Sequence, residues 1–169
     1  MFSKKQISIG NIEIGGNAPV SIQTMTNTNT ENVQATVAQI ELAKEAGCDL
    51  IRISCPTRES TVSLREILKI IKEDRSVDLR YIPVIADVHF NYKRAIEAID
   101  AGVHGIRINP GNIDTFGLQE TVKALNGSDC ALRIGINSGS IERDILNKYG
   151  EPTAEALVES AVLSCKKLE

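Results

Sequence analysis

The sequence predicts an α/β fold: a (β/α)₈ barrel of the TIM type, present as its first five β/α units and preceded by a short β-hairpin. Strand-length apolar runs alternate in strict order with segments of helical period. The strands keep aliphatic residues at one parity and polar residues at the other. A short internal repeat points the same way: Ala46-Gly47 followed by Ile51-Arg52-Ile53 recurs as Ala101-Gly102 followed by Ile106-Arg107-Ile108, two units later.

The elements follow in order. Residues 6–14 alternate apolar and polar on either side of Gly10-Asn11, a two-residue hairpin signal. A break over residues 15–19 precedes the first strand, residues 20–25. The first helix spans 32–46, with Val33, Val37, Ile40 and Ala43 on one stripe and Gly47 as its stop. Thr28 with Glu31 has capping-box spacing, and Thr30 is an alternative cap. The second strand, 49–54, leads to a helix with Leu64, Ile67, Leu68 and Ile71 on one face. Strands at 82–88 and 105–109 flank a helix at 92–101. A weaker helix at 118–125 precedes the fifth strand, 131–136. Two helical segments follow, 141–149 and 154–168, separated by Pro152.

Such alternation calls for a parallel sheet with helical crossovers. A doubly wound sheet is covered by helices on both faces, so its strands read as continuous apolar runs. Here Ile51-Arg52-Ile53-Ser54, Ile106-Arg107-Ile108-Asn109 and Leu132-Arg133-Ile134 each turn one apolar and one polar face, and Asp87 and His89 share the parity opposite Val88. One polar face fits a barrel whose interior opens onto a site at the strands' C-terminal ends. Arg52 and Arg107, two units apart, should then stand at similar height.

Three inward arginines, Arg52, Arg107 and Arg133, meet one carboxylate on that face, Asp87. Removing guanidinium groups from water without counter-charge costs several kcal/mol, so the surplus positive charge calls for an anion, and Arg suits bidentate phosphate binding. The plainer alternative is an ion pair between Asp87 and one arginine. On the anion reading, removing Arg107 should leave the fold's stability unchanged or raise it. His89, Asn109 and Asn137 add neutral donors, and the turns 109–112 and 137–140 suit close approach of a ligand.

Net charge is −3 with a pI near 5.5, which gives no general attraction to nucleic acid or anionic membrane. No apolar run approaches the roughly 20 residues of a membrane helix, and residues 1–10 lack the apolar stretch of a signal peptide. The chain reads as soluble and cytoplasmic. Cys48, Cys55, Cys130 and Cys165 have neither zinc nor cluster spacing and read as small buried hydrophobes. No metal site is expected on this chain.

Gly15-Gly16 to Pro19 with Gln23-Thr24-Met25-Thr26-Asn27-Thr28 resembles the opening of the 4-hydroxy-3-methylbut-2-enyl diphosphate synthases, the flavodoxin- or ferredoxin-dependent enzymes of the non-mevalonate isoprenoid pathway. So do Ala86-Asp87-Val88-His89-Phe90, the run 106–112, the run 133–140 and, later, Tyr149-Gly150-Glu151-Pro152-Thr153. The similarity spans nearly the whole chain in family order; the stretch 72–81 reads as longer and more charged than the family's.

The resemblance implies reductive opening of 2-C-methyl-D-erythritol 2,4-cyclodiphosphate, with two electrons and loss of water. It implies diphosphate binding by Arg52, Arg107 and Arg133, further substrate contacts from His89, Asn109, Asn137, Gln23 and Met25, and a catalytic acidic position at Asp87. It places a [4Fe-4S] cluster, held by three Cys and one Glu, on a separate C-terminal domain outside residues 1–169. Partners so implied are the small cyclic diphosphate, flavodoxin or ferredoxin as electron donor, and a second copy in a homodimer. Alone, the 169 residues are expected to be inactive, and five units of eight should leave open sheet edges prone to association. A pterin enzyme like dihydropteroate synthase, or a non-catalytic fragment, are the alternative readings.

Overall fold

The computed structural model describes residues 3–73 and 82–168. The long charged stretch expected at 72–81 lies outside the described residues from 74 onward.

Strands β1 (Gln6–Ile9) and β2 (Ile12–Gly15) form the antiparallel hairpin. Gly10 turns it at φ +58°, and a Cβ there would press on the His104 and Pro83 side chains. The main sheet is wholly parallel, in the order β3 (Gln23–Met25), β4 (Leu50–Ser54), β5 (Val84–Val88), β6 (Gly105–Ile108), β7 (Ala131–Ile134). Spatial order follows chain order, with no reversal point of the kind a doubly wound sheet has. That is the wall of a barrel, as expected. Among the described residues β3 and β7 are its two edges.

Helices α1 (Val33–Glu45), α2 (Arg58–Glu73), α3 (Tyr92–Ala101) and α4 (Thr115–Leu125) cover one face, each packed on the next. The core lies between them and the sheet. Ile51, Ile53, Val84, Ala86, Val88, Ile106 and Ile108 meet Ile40, Leu64, Ile67 and Ala98, all fully buried. Burying each large aliphatic side chain is worth about 1.5–3 kcal/mol. Helices α5 (Arg143–Tyr149) and α6 (Ala154–Leu168) pack on each other, and α6 also reaches α4 and β7.

The other face of the sheet divides in two. Its N-terminal end is filled by the hairpin, where Ile9, Ile12 and Ile14 pack on Leu50, Ile85 and Ala131. Its C-terminal end carries the polar side chains.

Several boundaries differ from expectation. The first strand begins at Gln23, not at 20: Val20 is exposed, and the Ile22 N–H is taken at 2.7 Å by the Asp49 carboxylate. Helix α1 is capped by Asn32, whose side chain accepts from Ala35 N. Thr30 instead donates to the Ser54 carbonyl at 2.7 Å, and Thr28 bonds to the Thr36 hydroxyl. Helix α4 starts at Thr115, capped by Asp114, earlier than the 118 expected. Gly117 disguised that first turn; a Cβ there would strike the Tyr92 ring, so the glycine lets α3 and α4 approach. Strand β7 ends at Ile134, two residues early.

Candidate active site at the C-terminal ends of the strands

Alternation places Met25, Arg52, Asp87, Arg107 and Arg133 on the inner face of successive strands. The ladder pairs Met25 with Arg52, Asp87 with Arg107, and Arg107 with Arg133. Asp87 is the hub, its side chain only 3% exposed. Arg52 Nε stands 3.3 Å from Oδ2, His89 Nε2 is 3.5 Å from the same oxygen, and Arg107 Nη1 donates to Oδ1 at 3.2 Å. The two repeat arginines therefore converge on one carboxylate, although by register Arg107 stands two residues further along its strand than Arg52. The ion pair weighed above as the plainer alternative is formed, and Arg52 shares it.

Charge balance still favours an anion. Among the described residues this inner row sets three guanidiniums against one carboxylate: Arg52 and Arg107 share Asp87, and the exposed Arg133 donates from Nη1 to the neutral Gln23 Oε1 at 3.0 Å. That bond joins the two edge strands across the hollow of the curved sheet. Below it lies a cavity of about 770 Å³, lined by Gln23, Leu50, Ile85, Gly105 and Arg133. Arg52 also meets the Met25 sulfur at 3.3 Å through Nε and Nη2. Gln23 and Met25 each stand against an arginine of this face.

The loops above the strands interlock. Asn109 is almost wholly buried; its Oδ1 accepts from Gly111 N at 3.1 Å, and its Nδ2 donates to Ser140 Oγ at 2.8 Å. Ser140 Oγ in turn donates to the Asn137 carbonyl at 3.2 Å. A Cβ at Gly111 would collide with the Ser140 carbonyl, so the two turns can touch only at a glycine. Asn109 is thereby committed to holding loops together. Asn137 is exposed on the second loop, and His89 is partly exposed beside Phe90.

Cys55 lies behind the hub, its N–H donating to the Asp87 carbonyl at 2.8 Å. Burial, and secondarily the Asp87 charge, push its thiol up to about 12, so it stays protonated and neutral. Among the described residues no three His, Cys, Asp or Glu side chains converge as a metal site would require, and no helix is long and apolar enough to cross a membrane.

Residues 4–169 match the family described as the GcpE TIM-barrel domain. The chain belongs to the GcpE family. Relatives of this GcpE chain include the 4-hydroxy-3-methylbut-2-en-1-yl diphosphate synthase (flavodoxin) of Zymomonas mobilis subsp. mobilis, 49% identical over 98% of this chain and 42% of that protein. That of Granulibacter bethesdensis is 49% identical over 98% and 41%. The chain therefore spans about two-fifths of the length of the curated relatives it matches. Among solved structures, the dihydropteroate synthase of Xanthomonas albilineans in complex with 7,8-dihydropteroate superposes with a TM-score of 0.62. It is 14% identical over 96% of this chain and 61% of that one. Identity that low speaks for a shared barrel fold and carries no pterin site over to GcpE.

Sequence reasoning named the polar side chains on this face and missed two residues that shape them. Ser140 ties the loops, and Gly135 lies beside Arg107. Their one signal was position: Gly135 falls at inner parity immediately beyond Arg133, where a side chain would be expected to point inward.

Proposed function

We propose that this chain forms the diphosphate-binding part of the substrate pocket of a 4-hydroxy-3-methylbut-2-en-1-yl diphosphate synthase. The substrate is then 2-C-methyl-D-erythritol 2,4-cyclodiphosphate, opened reductively with loss of water. The observation that carries the reading is the inner row of Arg52, Arg107 and Arg133, of which the first two share the one carboxylate that the described residues of this row provide, Asp87.

In this reading the arginines bind and orient the two phosphoryl groups. Arg52 and Arg107 are held in place by Asp87, and Arg133 by Gln23. Arginine forks match phosphoryl oxygens in geometry, and bound at a partly buried site they gain more per contact than in water. Both Asp87 oxygens are engaged, so Asp87 acts as a positioning residue for the clamp. His89 Nε2 faces Asp87 at the mouth and supplies a further donor toward the substrate. Asn109 fixes the loop geometry and Asn137 offers its exposed amide. The hairpin gives the pocket an apolar floor of Ile9 and Ile14 against Leu50 and Ile85.

This chain's residues do not fit a [4Fe-4S] cluster. Cys55 is buried, Cys165 is exposed, and Cys48 and Cys130 are half-buried in separate places. The reading assigns the cluster to the part of the relatives' length that this chain does not match. It likewise gives the complete protein flavodoxin or ferredoxin as electron donor, a cytoplasmic place and a homodimeric state; the 169 residues alone bind without reducing.

Calorimetric titration tests the reading. The cyclodiphosphate and inorganic pyrophosphate should both bind, and affinity should weaken as salt rises. The parent polyol without phosphates should not bind. Equal affinity for polyol and diphosphate would overturn it.

A further inference from the structure

Gly135 follows Arg133 at the end of β7, and its N–H continues the ladder to the Ile108 carbonyl at 2.8 Å. It is not among the chain's left-handed glycines, so its backbone would accept any L residue. What it lacks is space. A Cβ at 135 would stand closer than real Cβ atoms ever come to Nε, Nη2 and Cζ of Arg107, all three at once. Arg107 uses Nη1 for Asp87, so the atoms that face Gly135 belong to the other side of its guanidinium. The guanidinium is therefore held between a carboxylate on β5 and a bare backbone on β7, bridging three strands.

We propose that Gly135 is a positioning residue for Arg107. Its vacant Cβ position is the seat of the guanidinium, which lays Nε and Nη2 against the Gly135 backbone while Nη1 stays on Asp87. That Arg107, so seated, binds an anion rests on the diphosphate reading above; the seat itself does not. A methyl group at 135 displaces the Arg107 guanidinium from this seat, and with it the Nη1 contact to Asp87. Glycine-to-alanine changes at permitted φ usually stabilise a fold slightly, so a loss here isolates the collision. A lysine at 107 has a thinner stem and no fork, and should tolerate alanine at 135.

The experiment uses the 169-residue chain in four forms: native, Gly135→Ala, Arg107→Lys and the double variant. Each is melted in urea and titrated with inorganic pyrophosphate. Gly135→Ala alone should lower the urea midpoint and weaken pyrophosphate binding at least about tenfold, the equivalent of one charge-assisted hydrogen bond. On the Arg107→Lys background the same change should leave the midpoint unchanged or raised, and shift affinity less than about twofold. If Gly135→Ala fails to fold but the double variant folds, the seat is supported. Equal losses on both backgrounds, unfolding on both, or native-like binding by Gly135→Ala would overturn it. If the native chain binds no pyrophosphate, the diphosphate reading fails, and the melts alone still decide whether Gly135 seats Arg107.

Discussion

Arg107 and Asp87 are ladder partners on adjacent strands, joined at 3.2 Å through Nη1 and Oδ1. The contact occupies one corner of the guanidinium and one oxygen of the carboxylate. Arg52 takes the other oxygen, so the loss of either arginine leaves Asp87 paired.

Arg107→Met should therefore lower both binding and stability. Pyrophosphate affinity should fall roughly 10- to 150-fold, the equivalent of about 1.5–3 kcal/mol for hydrogen bonds to a charged group. The sequence alone suggested that stability would hold or rise as repulsion among the arginines was relieved. The pair reverses that sign. Breaking a fully buried pair costs about 3–5 kcal/mol; with Arg52 still on Asp87 and Arg107 partly solvated, about 1–3 kcal/mol is expected. Titration and urea melts on one preparation check both, and unchanged stability would mean that Arg52 alone neutralises Asp87.

Asp87→Asn should make the fold depend on its ligand. Arg52 and Arg107 would then lose the carboxylate they share, leaving the inner row of arginines without a counter-charge among the described residues. Stability without ligand should drop by at least about 2 kcal/mol, and added pyrophosphate should raise the melting temperature of the variant more than that of the native chain. A smaller shift in the variant would argue against an anion taking over the charge balance.

The Asn109–Ser140 bond should show up as a coupling. Asn109→Ala and Ser140→Ala each remove one partner of a 2.8 Å contact between the loops. Measured as a double-mutant cycle, the pair should interact by about 0.5–1.5 kcal/mol. Strict additivity would show the loops to be independent.

His104 should make stability fall in mild acid. Its Nδ1 accepts from Val84 N at 3.1 Å, and burial, with Lys72 nearby, lowers its pKa below the ordinary 6.5. A depressed folded-state value means that the unfolded chain takes up the proton first. Its contribution is therefore complete above about pH 6.5 and is lost as pH falls below that. His104→Gln should lose less stability than the native chain between pH 7.5 and about pH 5.5 in paired urea melts. Parallel losses would remove His104 from the account.

Thiol reactivity should follow burial. Cys55 and Cys130 are pushed up to about 12 and about 11 by burial, whereas Cys165 is exposed. Iodoacetamide at about pH 8 should label Cys165 first and Cys55 only after denaturation, read by peptide mass spectrometry.

Strand parity made much of this legible in advance. Alternation alone put Arg52, Arg107, Arg133 and Asp87 on one face and the isoleucines on the other, because a pleated strand permits nothing else. Parity does not say which groups touch. That Arg52 and Arg107 share Asp87, or that Arg133 reaches across to Gln23, depends on register and on sheet curvature, which the packing of distant helices sets. The caps were hidden for a related reason. Several Thr and Asn residues stand before α1, and which of them caps it depends on Thr30 being drawn to the Ser54 carbonyl of a neighbouring strand. Gly135 was hidden because its function is to be empty.

The hairpin that floors the sheet is synthesised before the strands it rests on. Ile9 can bury itself only against Leu50, Ile85 and Ala131, so its resting place does not exist until more than 120 further residues have been made. Until then its isoleucines are exposed on a two-stranded ribbon that is barely stable by itself. Its packing there also joins the hairpin to the fifth parallel strand. The seat of the hairpin is therefore complete only when β4, β5, β6 and β7 lie side by side in one sheet.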